Sequence, residues 1–363
     1  MKILSITNLC HGFTASLPER SLYKGLAAKG ADLIVMTHYP TPESRELEDA
    51  GIRVKYLDIK RKIDFGVIRE LRKIIKEEKI EILHFTFGKA LTNGLIASRG
   101  TGCRIVAYLG SISLYWHDPF SWISYLNSRI DKLICLSNGV EEHVLRQAPS
   151  RMKGKTVRIY KGYEASWFSN IKPVSRDELN IPAEGFVVAC VANVRKIKGI
   201  PYLIAAANDL PPNLPVYFLL IGPGMDSPSI KKQIENTRYS KNFRTLGFTK
   251  EVLSYTAICD VYIQPSITEG LGRSVIEAMC LGKPLIVSGI GGIGELIDEG
   301  KNGFFVERAS SSAIAEKILW CLVNRHQIAE MGRDSMTRIS TNFNSGQMTE
   351  NTFNLFRSLS RQE

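Results

Sequence analysis

The segment Glu269-Gly-Leu-Gly-Arg-Ser-Val-Ile-Glu277 sets two carboxylates eight residues apart, with two glycines after the first and a helix-forming run before the second. It follows Asp260-Val-Tyr-Ile-Gln-Pro265, which reads as a strand. A strand that ends in a glycine-bearing loop and opens a helix offers backbone N–H groups and the positive end of a helix dipole, a setting for phosphate or diphosphate. The glycines let such a ligand come close to the backbone. Glu269 in the loop and Glu277 about a turn into the helix would flank the diphosphate and accept hydrogen bonds from sugar hydroxyls, as a nucleotide sugar requires. Ser274-Val-Ile-Glu277 also spells the capping box S-x-x-E, in which Glu277 would serve only the N-terminus of its own helix.

These residues need a scaffold that brings strand ends together. Lys2–Thr7, Asp32–Thr37, Ile52–Leu57, Ile80–Phe85, Arg104–Leu109 and Lys132–Leu136 are apolar, strand-like runs, and amphipathic stretches such as Leu17–Lys29 alternate with them. Tyr163–Pro182, with two prolines and mixed polar residues, reads as a linker. A second series follows at Phe186–Ala192, Val216–Ile221, Val261–Gln264, Leu285–Ser288 and Phe304–Val306, with helices expected from Ser274, over Ser312–Asn324 and over Gln347–Leu359. The pattern predicts an α/β protein of two Rossmann-like, doubly wound domains on either side of a cleft, with ligands beyond the C-terminal strand ends. The expected domains are 1–165 and 166–344.

Composition narrows the class. The 363 residues are 44% apolar, enough for full cores. No apolar run reaches the 18 or so residues of a membrane span, and Met1–Thr7 is too short for a signal peptide, so a cytoplasmic location is expected. The seven cysteines form no C-x-x-C pair and read as reduced, buried thiols. H-E-x-x-H and Asp-x-Asp are both missing from the sequence, so no bound metal is expected. Charge is uneven: residues 1–165 hold 26 Lys/Arg against 17 Asp/Glu, net +9 of the chain's +11. The densest part runs from Arg53 to Lys79 and includes Lys60-Arg-Lys62 and a helix whose apolar positions are Val67, Leu71, Ile74 and Ile75. Such a segment is a solvated helix face or a contact for an anionic membrane surface or acidic acceptor, which would place the protein on the inner face of the plasma membrane. Nucleic acid is not an expected partner, because the basic run lacks interleaved aromatics.

The run from Glu269 through Glu277 and on to Leu285-Ile-Val-Ser-Gly-Ile-Gly-Gly-Ile-Gly-Glu-Leu-Ile297 resembles the C-terminal half of glycosyltransferase family 4, retaining enzymes of the GT-B fold. The likeness covers residues 186–310 well and 1–160 in outline. It implies that Glu269 contacts the transferred sugar and Glu277 the ribose, and that Lys198 carries the charge of the diphosphate, so Glu269 and Lys198 stand as the catalytic pair. It implies further donor contacts at Gly222, in the loop Gly222-Pro-Gly224, at Phe248, and along Gly270, Leu271, Gly272, Arg273 and Ser274. Where the family carries Arg five residues before the lysine, this chain has Asn193, and Arg195 lies two residues on. In the first domain the usual paired glycines are reduced to Gly12, Glu81-Ile-Leu-His84 matches a family strand ending in His, and Leu109-Gly110 stands where many relatives have His-Gly. His117, in Tyr115-Trp-His-Asp-Pro119, is the substitute candidate for that sugar or acceptor contact; a lone His beside Trp is also a common structural pairing. The resemblance implies a UDP-sugar co-substrate and no other cofactor, a glycan or lipid-linked acceptor of envelope polysaccharide or lipopolysaccharide synthesis, and a last helix that packs back on the first domain.

Two other classes fit parts of this pattern. A nucleotide-sugar epimerase or hydrolase would use the same fold and donor. Gly289-Ile-Gly-Gly-Ile-Gly294 is formally G-x-G-x-x-G with Glu307 beyond, the fingerprint of an NAD-dependent oxidoreductase, but the helix it opens would end near Glu299, short of a crossover helix.

Overall fold

The computed structural model describes residues 1–9 and 13–360. Two compact units divide the chain: Met1–Gly162 with Phe343–Glu363, and Tyr163–Asn342.

The first unit is built on a seven-stranded parallel sheet of order β3-β2-β1-β4-β5-β6-β7. Its strands are β1 (Lys2–Ile6), β2 (Asp32–Thr37), β3 (Arg53–Tyr56), β4 (Ile82–Phe85), β5 (Arg104–Leu109), β6 (Lys132–Cys135) and β7 (Thr156–Arg158). Sheet strands covered on both faces must be apolar on both, hence the near-continuous Val, Ile and Leu. Ile3 sits centrally, in register with Leu33 on one side and Ile82 on the other. One face packs on the helices Phe65–Glu77, Gly88–Ala97 and Asn138–Gln147 through Leu71, Ile75, Leu91 and Val140. The 65–77 helix begins where the Asp64 carboxylate accepts from the N–H groups of Gly66 and Val67. The other face packs on the helices Phe13–Ala28 and Ser345–Leu359 through Leu22, Tyr23, Met348 and Phe356. Those two helices touch closely because a Cβ at Gly25 would lie 2.6 Å from the Thr349 methyl.

The second unit has a six-stranded parallel sheet of order β10-β9-β8-β11-β12-β13. The strands are β8 (Phe186–Val191), β9 (Val216–Ile221), β10 (Phe243–Leu246), β11 (Val261–Gln264), β12 (Leu285–Ser288) and β13 (Gly303–Val306). Phe186, Val188, Phe218 and Ile263 meet the helices Ile200–Asp209 and Ser311–Val323 in one continuous core. Four features depart from the sequence reading. The stretch 163–182 holds buried Tyr163, Phe168, Leu179 and Ile181 and two short 3₁₀ turns, so its apolar side chains pack it onto the second unit. The polar-flanked strands β7 and β10 and the helix Arg325–Asn342 were not anticipated, since their apolar residues are few or scattered. Of the described cysteines, all six are free thiols and all but Cys103 are buried.

Candidate functional site

In each sheet the winding direction reverses at one point, between β1 and β4 in the first and between β8 and β11 in the second. Loops leaving the sheet on either side of such a point diverge and leave a crevice for ligand. In the second unit those loops are 192–199, after β8, and 265–272, after β11. They are locked together: the Ile267 N–H donates to the Ile197 carbonyl at 2.7 Å. Gly199 has φ +69°, and a Cβ there would collide with the Pro265 carbonyl oxygen. Only glycine both adopts that backbone and admits that approach.

The junction sets Lys198 against Glu269. Lys198 Nζ and Glu269 Oε2 are 2.5 Å apart, with side chains 19% and 16% exposed. The carboxylate is also reached by the Ser266 hydroxyl at 3.4 Å. Ser266 in turn accepts from the Gln264 amide at 3.0 Å. The Gln264 carbonyl oxygen accepts from Tyr262 at 3.1 Å and from Ser274 at 3.3 Å, and the Tyr262 hydroxyl lies 3.3 Å from the backbone carbonyl of Val191. A chain of polar groups therefore runs from the end of β8 through fully buried Tyr262 and Gln264 to the Lys198–Glu269 pair. Burial holds the Tyr262 phenol well above its ordinary range, so it stays a neutral donor. The sequence reading missed Tyr262, Gln264 and Ser266. Its available signal was the spacing of Tyr262 and Gln264 at i and i+2, which puts both on one face of an otherwise apolar strand.

Helix Arg273–Cys280 opens from Gly272, whose φ is +76°. This corrects the capping-box reading: Ser274 already lies inside the helix, and its hydroxyl turns to Gln264 instead of to the helix N-terminus. Glu277 is buried one turn in, with its carboxylate 3.7 Å from the Arg273 guanidinium. Gly270 and Leu271 are buried beneath the loop. Gly222, at φ +132°, lets the turn after β9 press on the 192–199 loop, since a Cβ would collide with the Ala192 carbonyl. The Val194 N–H donates to the Pro223 carbonyl at 3.0 Å across that contact. Asn193 and Arg195 are exposed on the same loop, and Phe248, just past β10, is 77% exposed. The loops after β8 and β11 thus bring an ammonium and a carboxylate together beside a helix N-terminus, with Glu277 one turn into that helix. The fingerprint at Gly289–Gly294 opens only a 3₁₀ turn, Gly291–Leu296, and not the long helix of a dinucleotide site.

The first unit holds the other expected residues. Gly12 lies outside the described residues. His84 is buried within β4, its Nδ1 2.9 Å from Ser5 Oγ and its ring edge-on to Phe356. It lines a small cavity with Tyr23, Tyr108 and Met348, under the 345–359 helix. Burial pulls its pKa from 6.5 down to about 4, so the ring stays neutral. Gly110 follows β5, and a Cβ there would stand 3.1 Å from the Tyr108 ring. His117 is exposed, stacked on Tyr115 with ring centroids 5.4 Å apart. The basic stretch 53–79 is also partly spent on structure. Arg53 pairs with Asp32 and Glu78, Lys55 with Glu78, and Lys60 with Asp58, while Arg72 donates to the carbonyls of Ala97 and Arg99 at a helix end. Among the described residues no three His, Cys, Asp or Glu side chains gather to hold a metal ion, and no helix is long and apolar enough to cross a membrane.

Comparison with known proteins gives a consistent result. The model for glycosyl transferases group 1 matches residues 171–337, and that for glycosyltransferase family 4 matches residues 20–167. Alpha-monoglucosyldiacylglycerol synthase of Acholeplasma laidlawii is 26% identical over 335 residues, covering 79% of this chain and 80% of that protein. O-antigen biosynthesis glycosyltransferase WclY of Escherichia coli is 25% identical over 315 residues, covering 86% and 79% respectively. Among solved structures, Anabaena HepE in complex with UDP superposes with a TM-score of 0.81 at 22% identity, over 99% of this chain and 100% of that one.

Proposed function

The chain belongs to glycosyltransferase family 4 and has the GT-B fold, and on that premise we propose that it moves a sugar from a UDP-sugar to a glycan or lipid-linked acceptor of envelope polysaccharide synthesis, with retention at the anomeric carbon. The observation that carries the reading is the Lys198–Glu269 pair at the mouth of the β8–β11 crevice, beside the helix N-terminus at Gly272. The second unit binds the donor and the first unit the acceptor. The diphosphate takes up hydrogen bonds from the Lys198 ammonium, with Arg195 supplying charge that Asn193 lacks. Glu269 accepts from hydroxyls of the transferred sugar, Glu277 from the ribose, and the exposed Phe248 ring offers a stacking face for the base. The bond from the anomeric carbon to the diphosphate oxygen breaks, its electrons go to the UDP leaving group, and the acceptor oxygen bonds to the same face. The acceptor proton passes to the departing diphosphate. Charge on that leaving group is offset by Lys198 and the backbone N–H groups, so the reaction needs no metal and no cofactor beyond the co-substrate. HepE has been crystallised with UDP and with UDP-glucose, and the curated relatives include a glucosyldiacylglycerol synthase and an O-antigen enzyme, which supports this choice of donor and acceptor classes.

A nucleotide-sugar epimerase or hydrolase would need the same donor contacts. Screening UDP-, GDP- and ADP-sugars for thermal stabilisation identifies the donor, because a ligand at about 100 times its dissociation constant adds about 2.7 kcal/mol. Nuclear magnetic resonance of the product then reads its anomeric configuration. Inversion, or equal consumption of donor with and without acceptor extracts, would overturn the proposal.

A further inference from the structure

We propose that the first unit carries a docking surface for an anionic lipid bilayer, formed by residues 60–65 and 115–123. Both segments lie beyond C-terminal strand ends of the seven-stranded sheet, the first after β3 and the second after β5. Six of the eight exposed large hydrophobics described in this unit fall in them: Ile63, Phe65, Tyr115, Trp116, Trp122 and Ile123. Phe65 is 84% exposed and Trp116 61%. Scattered apolar side chains on a surface are ordinary, whereas a contiguous set marks a contact. Contiguity is direct here. The Lys62 ammonium lies 3.8 Å from the centre of the Phe120 ring, and Ile63 and Ile123 line one groove with Ile96 and Arg129.

The segments are held rigidly enough to present those side chains. Buried Asn93 donates to the carbonyls of Arg61 and Lys62 at 3.2 Å and accepts from the Asp64 N–H at 2.8 Å. The Trp122 indole N–H donates to the Trp116 carbonyl at 2.6 Å, and the Trp116 N–H donates to Gln147 at 3.0 Å. The occupant is identified by the mixture of chemistries. Tryptophan and tyrosine favour the headgroup level of a bilayer, where the ring is half in apolar surroundings and the polar tip is wet. Arg61 and Lys62 border the rings, Lys62 over Phe120, and Arg151 lies 5.2 Å from Trp122, giving the positive charge that anionic lipid attracts. The ion pairs of Arg53, Lys55 and Lys60 withdraw those three charges from the same role, so this surface narrows the 53–79 stretch expected from charge alone. The inference rests on the proposed function only in putting a lipid-linked acceptor at this sheet edge.

The test is sedimentation of the full chain with phosphatidylcholine vesicles, with and without phosphatidylglycerol, in the absence of donor and acceptor. We expect binding only to the anionic vesicles, loss of binding in high salt, and quenching of tryptophan fluorescence by doxyl-labelled lipid. The Phe65→Ser/Trp116→Ser variant and the Arg61→Glu/Lys62→Glu variant should each weaken binding about tenfold or more. UDP titration, measured on the same samples, reports the donor site independently and should not change. Absence of vesicle binding, or binding unaltered in both variants, would overturn the docking surface even if UDP binds. So would self-association that disappears in Phe65→Ser/Trp116→Ser, because the rings would then face a second copy.

Discussion

Replacing Gln264 by Leu cuts the polar chain at its centre while keeping the size and shape of the buried side chain. The amide makes three hydrogen bonds, to Ser266, Tyr262 and Ser274. At about 1 kcal/mol each the ceiling is about 3 kcal/mol. Two of the partners keep another contact, since Tyr262 lies 3.3 Å from the Val191 carbonyl and Ser266 3.4 Å from Glu269. The expected loss is therefore about 2 kcal/mol, which in a unit of this size lowers the melting temperature by about 4–8 °C. The functional effect is separate. Ser266 loses the group that fixes its hydroxyl, and Glu269 is then steered mainly by Lys198. Turnover should fall about tenfold, equivalent to about 1.4 kcal/mol of transition-state stabilisation, with the donor KM nearly unchanged. The assay is steady-state UDP release beside calorimetric melting. Wild-type turnover at a lowered melting temperature would show that the polar chain supports only the fold and refute its positioning role.

Lys198→Ala should lower turnover by about a hundredfold or more while the unit stays folded, measured by UDP release and circular dichroism. Arg195→Ala should reduce turnover strongly only if its guanidinium reaches the diphosphate, and the same assay reads it. Glu277→Ala should weaken UDP affinity in calorimetric titration; a loss of about 1 kcal/mol of stability with unchanged UDP affinity would mean that the carboxylate serves only its own helix. His84 makes stability depend on pH: its native pKa of about 4 lies below the 6.5 of an unfolded chain. The contribution is complete above about pH 6.5 and shrinks as pH falls toward 4, by about 1.4 kcal/mol per unit and about 3 kcal/mol in all. Urea melts at about pH 7 and about pH 5 should therefore differ less for His84→Gln than for the wild type.

Strands buried on both faces of a parallel sheet announced themselves in the sequence because most of their residues are apolar, as in Asp32–Thr37, Arg104–Leu109 and Val261–Gln264. Strand β10, Phe243-Arg-Thr-Leu246, escaped because an edge strand pairs on one side only and tolerates Arg and Thr. In the candidate site, Glu269, Lys198 and the glycines were legible through loop chemistry and spacing. Their direct pairing was not, because it depends on the Gly199–Pro265 contact between loops far apart in the chain. The burial of His84 was hidden for a related reason: its strand position is visible in the sequence, while the helix that covers it comes from far along the chain.

That covering helix has a consequence for how the molecule is made. The chain leaves the first unit at Gly162 and re-enters it at Phe343, and the two crossings lie against each other, since a Cβ at Gly162 would collide with the Asn344 carbonyl. The whole second unit is thus an insertion into the first. On the ribosome, residues 163–342 emerge and can fold while the first sheet still lacks Met348, Thr352 and Phe356 on one face. The unit that begins the chain is therefore the last to be completed, and a nascent chain halted before residue 345 exposes Leu22 and Tyr23 to water or to a chaperone.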